Sequence, residues 1–241
     1  MSWATAALDL VFPALCPVCE APLGAGRRDP LCGACWSAIP APPSPACARC
    51  GSPLPALEPA VAAVCGACLV EPPPYAWALA AARYAGPLRE ALHAFKFHGR
   101  RALARPLAAL IVERCGAAVP AGVDALVPVP LAAARERERG FNQATLLAER
   151  LAPALGLPVR ARWLARARPT RPQSDLGADE RRGNVRGAFS ARPDVAGRHV
   201  AIVDDVLTTG ATVAECARAL AGRGARAVGV LTVARVDGLT L

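Results

Sequence analysis

Eight of the ten cysteines fall in four CxxC pairs: Cys16/Cys19, Cys32/Cys35, Cys47/Cys50 and Cys65/Cys68. The pairs are separated by 12, 11 and 14 residues. A CxxC turn aims two thiolates at one point, and two such turns brought together make a closed tetrahedral site for structural zinc. Pro17, Gly33, Gly51 and Gly66 supply the tight turns that such knuckles need. The three histidines lie at 93, 98 and 199, so each site must be built from cysteines alone. Four thiolates leave no open position for water, which makes a structural role the expectation and a catalytic one the exception. Disulfides would need an oxidising compartment, and a redox dithiol needs one CxxC at a helix start, not four in series. Two zinc ions are expected. Consecutive pairing is preferred: Cys16, Cys19, Cys32 and Cys35 on one ion, and Cys47, Cys50, Cys65 and Cys68 on the other. Spacing leaves an interleaved arrangement open.

A second chemistry-bearing segment is HVAIVDDVLTTGATV, residues 199–213. An apolar strand leads to Asp204 and Asp205, then to Thr208, Thr209, Gly210, Ala211 and Thr212, then to a helix. Ligands of open α/β sheets sit at the carboxyl ends of strands. A threonine-rich loop opening onto a helix start offers N–H groups and hydroxyls to an anion. The two carboxylates would repel phosphate but suit sugar hydroxyls or a metal-bound sugar. Together the segment describes a sugar-phosphate site.

Cations complete the inventory. Lys96 is the one lysine against 27 arginines and sits between Phe95 and Phe97, as an anion contact or a snorkelling surface residue. In residues 135–139 arginine and glutamate alternate, a self-neutralising pattern from which Arg139, beside Gly140, stands out. Residues 160–192 hold nine arginines and three acids, with prolines and glycines and weak periodicity. This reads as a mobile basic loop. From it Arg168, Arg171, Arg181 and Arg186 could grip an anion. The histidines show no partner spacing, and Cys115 and Cys216 are expected to be buried and inert.

The 199–213 string resembles the phosphoribosyl pyrophosphate (PRPP) motif of type I phosphoribosyltransferases. That resemblance implies Asp204 and Asp205 as ribose ligands and catalytic residues. It implies Thr208, Thr209, Gly210, Ala211 and Thr212 as the 5′-phosphate cradle, and Mg²⁺ entering with PRPP. Lys96, Arg139, Arg168 and Arg181 are then candidates for further PRPP contacts. The segments DALVPVPL (124–131), RGFNQ (139–143), RPTRPQ (168–173) and RRGNVRGAF (181–189) extend the likeness. With the cysteine-rich front end, nearly the whole chain resembles the ComF family of competence-associated proteins. That family carries an N-terminal double zinc ribbon ahead of a phosphoribosyltransferase-like domain.

The elements that must position these residues follow from the rest of the sequence. The chain has 241 residues and a net charge of +9. Residues 1–75 carry −2 and residues 76–241 carry +11, so the basic character belongs to the second part. Residues 40–74 contain ten prolines, which places a boundary near Pro74. The expected domains are 1–74 (double zinc ribbon) and 75–241 (phosphoribosyltransferase-like). In the second, strands are expected at 79–84, 124–130, 198–203 and 227–234. Helices are expected around 88–96, within Leu103 to Cys115 with a start near Pro106, at 141–155 and at 213–220. Strands alternating with helices argue for an α/β fold with a mostly parallel sheet. Residues 2–15 are expected to form a short helix packed on the cysteine unit. They lack the basic start of a secretory signal, and no apolar run suits a membrane span, so a cytoplasmic location is expected.

Three functions fit this reading. The first is transfer of a phosphoribosyl group from Mg²⁺–PRPP, as in nucleotide metabolism, with metal and arginines neutralising departing pyrophosphate. The second is handling of single-stranded DNA during natural transformation, alongside the DNA-uptake machinery. Five Phe, four Trp and two Tyr are few for extensive stacking, so backbone binding with steep salt dependence is expected. The third is a PRPP sensor without turnover.

Overall fold

A computed structural model describes residues 14–24, 30–55, 64–168, 183 and 185–237. The centre of the protein is a four-stranded sheet of β1 (Trp77–Arg83), β2 (Ala125–Pro128), β5 (His199–Leu207) and β6 (Ala227–Arg235). The order is β1-β6-β5-β2, and every pairing is parallel. Val200, Ala201, Ile202 and Val203 of β5 are fully buried, as a strand covered on both faces requires.

One face is covered by α3 (Gly86–Phe97), α4 (Ala104–Cys115) and α6 (Gln143–Leu155), whose apolar residues join a core with Leu126, Ala201, Val203 and Leu231. In α3 the buried stripe is Leu88, Ala91, Leu92 and Phe95, the spacing of one helix face. α4 begins at Ala104, two residues before the expected Pro106. Proline is tolerated there because N–H groups of a first helical turn have no intrahelical acceptor. The other face is covered by α7 (Ala211–Ala221) and by a hairpin of β3 (Leu164–Arg166) and β4 (Phe189–Ala191). These two antiparallel strands lie inside the stretch expected to be loop. Three residues each are too short to show a period, which is why periodicity missed them.

Two further departures bear on the site. β5 continues through Asp204 and Asp205 to Leu207, so the carboxylates sit within the strand and are held by its ladder: Asp204 is in register with Thr232. The alternating 135–139 stretch is part of a helix, α5 (Ala133–Arg139), with no buried residue, ended by Gly140 at φ +71°. The expectation of a helix over 2–15 falls outside the described residues except at 14 and 15, where Leu15 forms an antiparallel bridge with Pro22.

The cysteine-rich part contributes two five-residue helices, α1 (Gly33–Ser37) and α2 (Gly66–Val70), each starting directly after a cysteine. It packs on the sheet domain at two places. Leu31, Cys35 and Ile39 join the core under α4, where Arg114 donates to Ala81 O and Pro40 O at 3.2 Å. The 47–52 loop lies against β1, with Gly51 at φ +72° and its Cβ position 3.1 Å from Ala78 O. No helix among the described residues is long and apolar enough to cross a membrane.

Candidate functional site

A cavity of about 450 Å³ opens at the carboxyl ends of β2, β5 and β6. Its floor comes from β5. Asp205 is buried, and its backbone N–H donates to Asp204 Oδ1 at 2.9 Å. Lys96, one residue before the end of α3, brings Nζ to 2.9 Å from Asp205 Oδ2. Two carboxylates side by side cannot both ionise cheaply once removed from water. Burial, then the neighbouring Asp205 charge, pushes Asp204 up to about 8, against the pull of Lys96. Burial disfavours the charged form of Lys96, yet Asp205 outweighs it and raises the ammonium above its ordinary value. The floor is therefore a Lys96–Asp205 ion pair beside an Asp204 carboxyl that holds its proton more tightly than an ordinary aspartate.

The wall opposite is the 208–212 loop. Thr208, Gly210 and Thr212 line the cavity. Gly210 has φ +80° and is the residue from which α7 departs. A left-handed residue at that position favours glycine. It turns the loop so that the first N–H groups of an eleven-residue helix stand at the cavity edge. Thr209 points inward, buried, its Oγ1 accepting from Ala211 N at 3.4 Å. Ala211 is buried at the helix start. These two shape the loop, and the other three face the space.

Cations stand on the third side. Arg139 donates to Gln143 Oε1 at 3.2 Å and lies 4.8 Å from the centroid of the half-exposed Phe97 ring. Its position depends on α6, which Asn142 caps: Asn142 Oδ1 accepts from Ala144 N at 2.9 Å, while its Nδ2 donates to Val129 O at 3.0 Å. The RGFNQ string thus fastens Arg139 and Gln143 to the end of β2.

Of the residues expected to bind a ligand, the fold brings Lys96, Arg139, Asp204, Asp205, Thr208, Gly210 and Thr212 to one cavity. Arg168 is not on its lining; it is exposed and donates to Arg186 O at 2.8 Å. Arg181 lies outside the described residues. Tyr84, Arg135, Gln143 and Arg166 line the cavity without having been singled out as contacts. Gln143 carried a signal, since it closes the RGFNQ string. Arg135 looked like one member of a neutral alternation, and only the helix direction turns it inward.

The cysteines form the consecutive sets. Cys16, Cys19, Cys32 and Cys35 bring their sulfurs within 4.8 Å of one another, and so do Cys47, Cys50, Cys65 and Cys68. Cys19 Sγ to Cys32 Sγ is 3.6 Å and Cys50 Sγ to Cys65 Sγ is 3.7 Å. A tetrahedron of four Zn–S bonds has edges of about 3.8 Å, so both sets fit the ion. Cys47 accepts from Cys65 N at 3.3 Å and Cys50 N at 3.5 Å. Burial opposes thiolates at Cys16 and Cys47. Backbone N–H groups of Cys32 and Cys19 in one set, and of Cys50 and Cys65 in the other, still draw them down to about 6. Cys115 and Cys216 are buried, as expected.

Comparison with known proteins agrees with both halves. A double zinc ribbon domain matches residues 7–69, and a phosphoribosyl transferase domain matches residues 138–239. The DNA utilization protein YhgH of Escherichia coli (strain K12) is 38% identical over 233 residues, covering 94% of this chain and 99% of that protein. Competence protein F of Haemophilus influenzae is 33% identical over 178 residues, covering 70% of this chain and 76% of that protein. Competence protein ComFC of Bacillus subtilis is 30% identical over 145 residues, covering 58% and 56%.

Proposed function

This chain belongs to the ComF family, and on that premise we propose that it binds PRPP in the β5–α7 cavity and serves the handling of incoming single-stranded DNA in the cytoplasm. One observation carries the ligand. A carboxylate pair and a left-handed Gly210 loop face each other across about 450 Å³, with Lys96 and Arg139 between them. Asp204 and Asp205 take the ribose hydroxyls. Thr208, Gly210 and Thr212 take the 5′-phosphate, on a loop that Thr209 and Ala211 hold in shape. Lys96 and Arg139 take the diphosphate, and Arg168 and Arg181 of the basic segment are candidates for further contacts to it. A magnesium ion fits the same place, since it favours one or two carboxylates together with substrate phosphates. When bound with PRPP it supplies charge neutralisation. With Asp204 ionised in the complex and its proton released to solvent, both carboxylates accept hydrogen bonds from the ribose hydroxyls.

The unit over 75–241 is then the ligand-binding domain, and the zinc-held unit over 1–74 docks on it. The DNA role is supported by the likeness to a DNA utilization protein and a competence protein and by the +11 carried by residues 76–241. The DNA-uptake machinery is the expected partner.

Titration calorimetry with PRPP and Mg²⁺ tests the ligand. Pyrophosphate release with a panel of bases then separates a transferase from a sensor without turnover. No heat with the zinc-loaded protein rejects the reading.

A further inference from the structure

Arg235 is the largest fully buried side chain of the described residues, at 1% exposure. No carboxylate lies within ion-pair distance of it among those residues. A buried guanidinium without a counter-charge costs several kcal/mol, so the fold must supply one. What surrounds it is the second cysteine set. Arg235 Nη1 donates to Cys50 O at 2.7 Å, and Nη2 donates to Ser52 Oγ. Ser52 Oγ in turn lies 3.1 Å from Cys50 Sγ. The Tyr75 hydroxyl is buried nearby and, like Arg235 Nε, has no hydrogen-bond partner among the described residues. A divalent ion held by four thiolates keeps two net negative charges. Guanidinium, serine hydroxyl and thiolate therefore form a relay from a positive strand residue to a negative metal centre.

Arg235 lies with its backbone beside the lining of the ligand cavity without being part of it. It is the last residue of β6 and is in register with Leu207, the residue before Thr208. The next residue, Val236, donates from its N–H to Leu207 O at 3.0 Å, and both Val236 and Leu207 line the cavity. The first cysteine set has no such link. Its arginine, Arg114, meets the carbonyls of Ile39, Pro40 and Ala81 and no cysteine.

We propose that Arg235 is the counter-ion of the Cys47/Cys50/Cys65/Cys68 zinc centre, and that through it this centre holds the start of the 208–212 loop in place. The two zinc ions then have different tasks: one staples the front end, and the other is a structural part of the ligand site. Arg235 is a positioning residue, since it touches no part of the cavity itself.

The test uses full-length, zinc-loaded protein. Zinc release into a chromogenic chelator is followed, with Cys19→Ser and Cys68→Ser identifying which equivalent is which. Arg235→Met is expected to speed release from the second centre at least tenfold and leave the first unchanged. Arg235→Lys keeps the charge but loses the two-pronged contact, and should fall between. If Arg235→Met does not fold, Ser52→Ala removes only the relay hydroxyl and should speed the same equivalent about threefold. Wild-type release from both centres in whichever variant folds overturns the counter-ion role. Deuterium uptake over 203–213 reads the second half. It should rise in the variant and in wild type stripped of the second zinc, and unchanged uptake in both overturns the strut. The loop's meaning as a PRPP site rests on the function proposed above. Failure of wild-type protein to bind PRPP counts against that function alone, because neither readout here contains PRPP.

Discussion

Lys96 Nζ stands 2.9 Å from Asp205 Oδ2, so the one lysine of a chain with 27 arginines is spent on the floor of the ligand cavity. An ammonium is a compact charge that can shift from a carboxylate to an arriving diphosphate, whereas a guanidinium fork is fitted to a fixed planar partner. Lys96→Met should leave a buried carboxylate unpaired and lower Tm by roughly 5–10 °C, from the few kcal/mol such an orphan costs. PRPP affinity should fall about 10–100-fold, the worth of one charge-assisted hydrogen bond. Differential scanning calorimetry and PRPP titration read the two effects.

Burial and the neighbouring Asp205 charge push the Asp204 carboxyl up to about 8 from its ordinary value of 3.8. Its folded pKa is raised, so its favourable contribution is complete below the unfolded value and is lost as pH climbs toward 8. Asp204→Asn removes that loss. The variant should melt higher than wild type, by a margin that grows from pH 6.5 to 8 and levels off above. A margin independent of pH over that window would show that Asp204 is already ionised.

Gly210 adopts φ +80°, where a side chain is strained. Gly210→Ala should cost about 1 kcal/mol of stability in chemical denaturation. Its effect on PRPP binding should be larger, because the loop N–H groups no longer converge. A substitution that lowers stability but spares affinity would move the phosphate elsewhere.

The two cysteine centres differ in access. Cys19 is exposed whereas its counterpart Cys50 is buried; Cys32 and Cys65 are both half-buried, and Cys16, Cys35, Cys47 and Cys68 are buried. Elemental analysis should find two zinc ions per chain. A chelator should remove one quickly and one slowly, and Cys19→Ser should abolish the fast phase alone.

Gly229 lies beneath the Trp77 indole, with its Cβ position 2.0 Å from a ring carbon. That ring also donates from Nε1 to His199 Nε2 at 3.3 Å, so it has little room to yield. Gly229→Ala should destabilise by roughly 1–3 kcal/mol, the usual range for overpacking, near the amino end of β6 and away from the carboxyl ends where the cavity opens. PRPP affinity measured below the lowered Tm should be retained.

Motifs made most of this legible. Four CxxC pairs yielded both cysteine sets, and thirteen residues of β5 and the following loop yielded the carboxylates and the threonine-glycine loop that line the cavity. The sheet followed from apolar strands between helices. What stayed hidden depended on direction or on contact across long separations. Arg135 belongs to the cavity because α5 turns it there. β3 and β4 are three residues each, too short for a period. Arg235 ends a valine-rich strand and looks like a surface cap until the fold sets it against Cys50, 185 residues earlier. Nothing local announces such a pair.

The central claim is that the carboxylate pair and the Gly210 loop form one PRPP site. Calorimetric titration of PRPP with Mg²⁺ into wild-type protein and into Asp204→Asn/Asp205→Asn tests it most directly, with both proteins shown to be folded and to hold two zinc ions. The account predicts saturable binding to wild type and at least a hundredfold loss in the double variant. Equal affinity in the two proteins, or no binding to wild type, would contradict it.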